Sequence, residues 1–176
     1  MGKYPNYPEY KDSGVEWLGE IPGHWDIKRH KYIADFVKGK NPSQLFDSPI
    51  EGYYPYLSMD SLRGKSISKF APLEKGLFLA KDKQPLIIWD GSNAGEFVLG
   101  KEGILSSTMA ASCLSFSINS EYYWYLCLCI EPEMRRHANG MGIPHVNSEE
   151  LKNITIVYPT NEEQTQIANF LDHETA

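Results

Sequence analysis

Cysteine is scarce in this sequence. Cys113, Cys127 and Cys129 are an odd number, form no C-x-x-C pair and have no histidine at ligand spacing. That excludes a disulfide scaffold and speaks against a zinc site. Free thiols buried in a reducing compartment are expected. Long apolar runs are also missing. The richest stretch, Tyr122 to Ile130, is only nine residues long, against the roughly 18 needed for a membrane span. The polar opening MGKYPNYPEYKDSG lacks the apolar core of a signal peptide, so a cytoplasmic chain with no membrane partner is expected. A basic surplus is absent too. Seventeen Lys and Arg face 23 Asp and Glu, a net charge of −6, which at first argues against binding nucleic acid.

Motifs for chemistry are equally thin. There is no phosphate loop of the G-x-x-x-x-G-K-[ST] type, no G-x-G-x-x-G after a strand, no G-x-S-x-G and no H-E-x-x-H. Asn41-Pro42-Ser43 is not the N-P-P-Y loop that holds a flipped adenine. Glu74-Lys75 has no placed Asp to complete a metal-dependent nuclease. The five histidines are scattered, with no i, i+4 pair. No catalytic residue and no metal ligand is therefore assigned.

What is present suits one folded domain of 176 residues, 41% of them hydrophobic. Residues 1–26 read as an arm, extended or irregular over 1–20, with Trp17, Leu18, Ile21 and Trp25 as anchors. In 28–37 the spacing of Tyr32, Ile33, Phe36 and Val37 predicts a helix stopped by Gly39. Between 50 and 118, short aromatic and branched segments separated by Gly, Pro, Ser and Asn predict strands at 53–57, 66–70, 76–79, 85–89, 96–98 and 111–118. The run Leu86-Ile87-Ile88-Trp89 fits a strand buried on both faces, and the segment from Gly91 to Gly95 must then be a loop. A helix is predicted over 121–130 behind Asn119 or Ser120 as N-cap, with a second short one over 132–138 that has Pro132 in its first turn and Gly140 at its end. A strand follows at 154–158. Thr160-Asn161-Glu162-Glu163 is a capping box opening a helix with Ile167, Phe170 and Leu171 on one stripe.

Charge is unevenly spread. Residues 1–60 are net −2, 61–120 net +2 and 121–176 net −6. Two windows, 28–40 and 61–83, each reach +4. Such clusters can neutralise phosphates, and a solvated face explains them equally well. In the loop Asp90-Gly91-Ser92-Asn93-Ala94-Gly95, Asn can read adenine and Ser can reach base edges or phosphate. A plain hairpin turn suits the same residues.

Several segments together resemble one family. Lys11 to Trp25 (KDSGVEWLGEIPGHW) looks like the opening of specificity subunits of Type I restriction-modification systems. Ile88 to Gly95, then Gly100-Lys101 and Ser106-Ser107, resembles the central segment of their target recognition domains. Asn139 to Asn147 with Leu151, Ile154 and Ile156 resembles the closing segment. Tyr158-Pro159, Glu162-Glu163-Gln164 and Ile167 to Asp172 are similar to the P-x-x-x-E-Q-x-x-I-A-x-F-L-D start of the family's long spacer helix. Thr160 departs from that pattern, where a second proline or an apolar residue is common.

The resemblance implies an α/β fold of the mixed α+β kind: a twisted, mostly antiparallel sheet with flanking helices, followed by the start of a long spacer helix. Residues 1–158 would form the target recognition domain and 159–176 the spacer start. The domain would bind double-stranded DNA, reading one half of a bipartite site. It would need no cofactor of its own. Methyltransferase subunits using S-adenosylmethionine, and a restriction and translocase subunit using ATP and magnesium, would be its partners. A half-subunit of this size could also pair with a second copy of itself. Lys65, Lys69, Lys81, Lys83 and Lys101 are the expected phosphate contacts. Ser92 and Asn93 are expected near bases or phosphates, in a loop shaped by Gly91 and Gly95. Glu162 and Glu163 are expected at a cap and partner surface. Two alternatives stay open: a protein-interaction adaptor, and the recognition fragment of a fused methyltransferase-nuclease.

Overall fold

The structure is a computed structural model that describes residues 6–15, 18–115, 118–138 and 143–175. The chain opens with the strands β1 (Tyr10–Asp12) and β2 (Glu20–Pro22), paired antiparallel. β3 (Asp26–Arg29), a 3-10 turn (His30–Tyr32) and β4 (Ala34–Lys38) follow. Then come β5 (Tyr53–Leu57), the one-turn helix α1 (Met59–Leu62), β6 (Phe70–Pro72), β7 (Leu79–Ala80), β8 (Pro85–Ile88), β9 (Phe97–Leu99), β10 (Gly103–Leu105) and β11 (Met109–Leu114). The last part holds α2 (Ser120–Arg136), α3 (Ser148–Asn153), β12 (Thr155–Tyr158) and α4 (Asn161–Thr175).

The architecture is mixed α+β and mostly antiparallel. It is divided into two four-stranded sheets, ordered β4-β11-β8-β9 and β6-β5-β10-β7, plus the ribbons β1-β2 and β3-β12. Among the described residues only the β5–β10 pairing is parallel. No helix among the described residues is long and apolar enough to cross a membrane.

The middle strands of the central sheet, β8 and β11, are buried on both sides, and residue alternation shows how. Ile87 of β8 and Ala110 of β11 pack with Tyr123, Leu126, Cys127 and Ile130 of α2. Their neighbours Leu86, Ile88, Met109 and Ala111 pack the other way, onto Leu57, Ala80 and Leu105 of the second sheet. All four residues of β8 are buried, as the unbroken apolar run requires. Of the arm anchors, Ile21 is in the core and Leu18 and Trp25 pack against it; Trp17 lies outside the described residues. Of the thiols only Cys127 is buried; Cys113 is half-buried and Cys129 exposed.

The helix predicted over 28–37 is not formed. The segment is β3, the 3-10 turn and β4. β3 pairs with β12 and β4 with β11, whose partners lie far along the chain. Tyr32, counted in the helical stripe, is 67% exposed, whereas Ile33 and Ala34 are in the core. Non-local pairing outweighs local periodicity here. Gly39 does not stop a helix. A Cβ there would lie 2.2 Å from the carbonyl oxygen of Ser106, so glycine lets the chain cross the end of β10.

The break predicted before Pro132 is also absent: α2 runs through it as one helix of 17 residues. A proline inside a helix costs roughly 3 kcal/mol. Ile130 and Met134 on either side of it sit in the core and hold the helix across that point. The carbonyl left without its donor belongs to Leu128, an exposed residue. Gly140, the expected end, lies outside the described residues.

The 3-10 turn is fixed by His30, which is fully buried. Its Nδ1–H donates to the Leu151 carbonyl at 3.0 Å, and its Nε2 accepts from the Tyr123 hydroxyl at 2.8 Å. The Ser112 hydroxyl lies 3.3 Å from the same phenol oxygen. This relay ties the turn to α3, α2 and β11. Burial lowers the His30 pKa to about 4, although the bond to Leu151 opposes the shift. The unfolded chain, with an ordinary histidine, binds the extra proton between about pH 6.5 and 4. Stability should therefore be whole near pH 7 and fall by about 3 kcal/mol as the pH drops to 4. Urea unfolding at pH 7 and at pH 4.5 measures this, and His30→Gln should flatten the difference.

Candidate nucleic-acid interface

The register of the central sheet brings several loops to one edge. Ala110 faces Lys38 and Met109 faces Ile88. The chain therefore leaves β4 and β8, and enters β9 and β11, along the same rim. Segments 38–41, 89–96 and 106–108 lie there, and backbone bonds lock them together. Gly39 N–H donates to the Met109 carbonyl at 2.9 Å, and Trp89 N–H to the Thr108 carbonyl at 2.7 Å. Residues 144–146 join as a fourth segment. Gly91 N–H donates to the Pro144 carbonyl and Val146 N–H to the Trp89 carbonyl, both at 2.9 Å, and Asp90 bridges to His145. The Asn41 carboxamide oxygen accepts from Tyr56 O–H at 2.7 Å and Ser107 N–H at 3.2 Å.

The loop after β8 is a stiff hairpin. Gly95 N–H returns to the Ile88 carbonyl at 2.9 Å, and Glu96 N–H to the Asn93 carbonyl at 3.0 Å. Gly91 and Gly95 have φ of +105° and +91°, the left-handed region that glycine occupies without strain. Gly95 has a second reason: a Cβ would lie 2.7 Å from the backbone of Met134 and Arg135 in α2. Ala94 and Gly95 are buried, while Ser92 is exposed and Asn93 half-buried at the tip. Asp90 is neutralised by the Lys38 ammonium at 2.7 Å, which also lies 6.0 Å from the Trp89 ring centre. The rim thus presents short donors and acceptors, Asn41, Ser92, Asn93, Thr108 and His145, flanked by Lys38 and Lys40.

The structure gathers only part of the expected set here. Gly91, Ser92 and Asn93 share the rim. Lys81, Lys83 and Lys101 lie at the other end of the β8–β9 hairpin, where Lys83 N–H donates to the Gly100 carbonyl and Gly100 N–H to that of Gln84. The Lys101 ammonium donates to the Ser61 carbonyl at 3.1 Å. Lys65 pairs with Asp60 at 2.9 Å, both largely exposed, and Lys69 pairs with Asp47. Lys38, Lys40, Asn41, Thr108 and His145 were not singled out from the sequence. The first two stand in the basic window 28–40. No group of three or more His, Cys, Asp or Glu among the described residues is placed to hold a metal ion.

A family model described as the Type I restriction modification DNA specificity domain matches residues 22–175. The chain belongs to that family. It is 40% identical over 152 residues to the Type I restriction enzyme MjaVIII specificity subunit of Methanocaldococcus jannaschii, covering 86% of this chain and 36% of that protein. The fold matches the HsdS subunit of Thermoanaerobacter tengcongensis with a TM-score of 0.64 at 19% identity, over 93% of this chain and 39% of that one. A chain from a solved type I restriction-modification system gives a TM-score of 0.69, also at 19% identity, over 92% and 40%. This specificity domain thus spans well under half the length of these relatives.

Gly95→Ala should destabilise the domain by about 2 kcal/mol or more, because it adds both strain at positive φ and a backbone clash. Ser92→Ala at the exposed tip should stay within about 0.5 kcal/mol. Thermal unfolding of the two variants beside the parent checks the pair.

Proposed function

We propose that the chain is a target recognition domain that binds double-stranded DNA sequence-specifically, reads one half of a bipartite site and directs methyltransferase and restriction subunits to it. The observation that carries this reading is the rim, where four segments of a Type I specificity domain converge around a tip of exposed Ser92 and half-buried Asn93. Side chains of this kind hydrogen-bond base edges in the major groove, and neighbouring lysines hold the phosphates. The ion pairs of the loop support it, because Lys38 neutralises Asp90 and Arg63 and Arg135 neutralise Glu96, the two carboxylates of segment 89–96 that would repel DNA.

In this reading the domain performs no chemistry itself. Methyl transfer with S-adenosylmethionine, and cleavage with ATP and magnesium, belong to the partner subunits, and the assembly works in the cytoplasm. Residues 1–158 are the recognition domain and 159–176 the start of the spacer. A second spacer helix would pack along α4 near Phe170, which is exposed, while Ile167 packs on the core of the domain.

Selection from a pool of randomised 20-base-pair duplexes at low salt tests this reading. It should enrich a short consensus, with binding that weakens steeply as salt rises. Asn93→Ala should alter the consensus. Lys40→Ala should weaken all duplexes alike and reduce the salt slope by about one. No enrichment together with salt-independent binding would overturn the proposal.

A further inference from the structure

The N-terminal arm and the root of α4 meet on a single carboxylate. Glu163 sits in the first turn of α4. Its Oε1 accepts from His24 Nε2 at 2.8 Å and from the Trp25 indole N–H at 3.1 Å. Its Oε2 accepts from the backbone N–H of Thr160 at 3.0 Å and from the Thr160 hydroxyl at 2.8 Å. The Thr160 hydroxyl in turn accepts from Glu163 N–H at 3.3 Å, completing the capping box. The box thus performs a second task, since the same side chain reaches back across 138 residues of sequence to Trp25. Burial alone would raise the Glu163 pKa, but the bonds from Trp25, Thr160 and His24 outweigh it and hold the carboxyl at about 2.

The partner side of this contact is itself braced. The β1–β2 ribbon is closed by Gly23 N–H donating to the Glu9 carbonyl at 2.8 Å. The Tyr7 ring packs on His24 and Trp25, with centroids 5.5 and 6.2 Å apart. Next to Glu163, Gln164 is fully buried with both ends of its amide in use. Its oxygen accepts from Asn119 N–H, the N-cap of α2, at 2.8 Å, and its nitrogen donates to the Pro159 carbonyl at 2.9 Å. Further along the helix, Tyr125 O–H donates to Asp172 at 2.6 Å.

We propose that Glu163 is a positioning residue: by joining α4 to the arm, it sets the direction in which the helix leaves the recognition domain. The lever arm makes this matter. Fifteen residues of helix span about 22 Å, and a swing of about 10° at the root moves the far end by roughly 4 Å. That exceeds the roughly 3.4 Å rise of one base pair. The consequence for DNA rests on the recognition reading above: a second reading surface carried beyond α4 would miss its half-site by a base pair if the root were loose. The structural part of the proposal does not depend on that reading.

Backbone residual dipolar couplings on the isotope-labelled 176-residue chain test it. In the parent, one alignment tensor should fit the amides of α4 together with those of β8 and β11. In Glu163→Ala, α4 should need its own tensor with reduced couplings. Glu163→Gln keeps a carbonyl acceptor for the Trp25 indole and should restore most of the alignment. A contribution to stability alone would lower Tm without separating the tensors. Trp25→Phe removes one donor while leaving a ring in place, and serves if Glu163→Ala does not fold. All three variants are repeated in a Tyr125→Phe background so that the outer clamp cannot mask the effect. Binding to the duplex consensus should not change in any of them. A single tensor fitting every variant would overturn the proposal. Separated tensors in a chain that enriches no duplex would leave the joint standing and remove the DNA reading.

Discussion

The structure depends on a pair of strands, β8 and β11 at the middle of one sheet, that has no wet face. β8 and β11 send alternate residues into α2 on one side and into the second sheet on the other. A strand pair enclosed in this way can meet solvent only at its ends. Apolar burial at roughly 25 cal/mol per Å² drives the enclosure, and the loops at the rim inherit a fixed base from it. The rim is stiff because its backbone groups finish the hydrogen bonding of a buried sheet, as in Gly95 with Ile88 and Trp89 with Thr108.

The acidic excess of the last third is largely engaged within the fold. Glu131 accepts from the Phe97 N–H at the start of β9, at 2.9 Å. Glu133 pairs with Arg136 and His137. Glu163 and Asp172 fasten α4. A net charge of −6 therefore says little about the rim, where Asp90 is matched by Lys38.

Much of the fold was legible wherever local rules and tertiary demands agree. The apolar run at 86–89 fits a doubly buried strand and its first three residues form one, Asn119 caps α2 through Tyr122 N–H, and Thr160 and Glu163 form the predicted box. β4 was misread because Ile33 and Phe36 fit a helical stripe, and nothing local announces that Ala34 to Lys38 will pair with residues some 75 positions away. β10 was missed because Gly103-Ile104-Leu105 is too short to show a period, although it is the parallel partner of β5. At the candidate site, the tip Ser92-Asn93 was visible from its flanking glycines. Lys40, Thr108 and His145 were not, because only the pairing register brings them beside that tip. The expected Lys81 and Lys83 belong to a basic window in sequence, and Lys101 to the family resemblance, and all three fold to the far end of a hairpin.

Gly95 divides its loop into two zones with different freedom to vary. Its missing Cβ lets the base of the loop rest on the α2 backbone, so the base is effectively a fixed socket. Ser92, two residues beyond Asp90, touches nothing that the core requires and is exposed to solvent. Substitutions at the tip can accumulate without loosening the socket, so new side chains can be presented at the rim while its geometry stays the same.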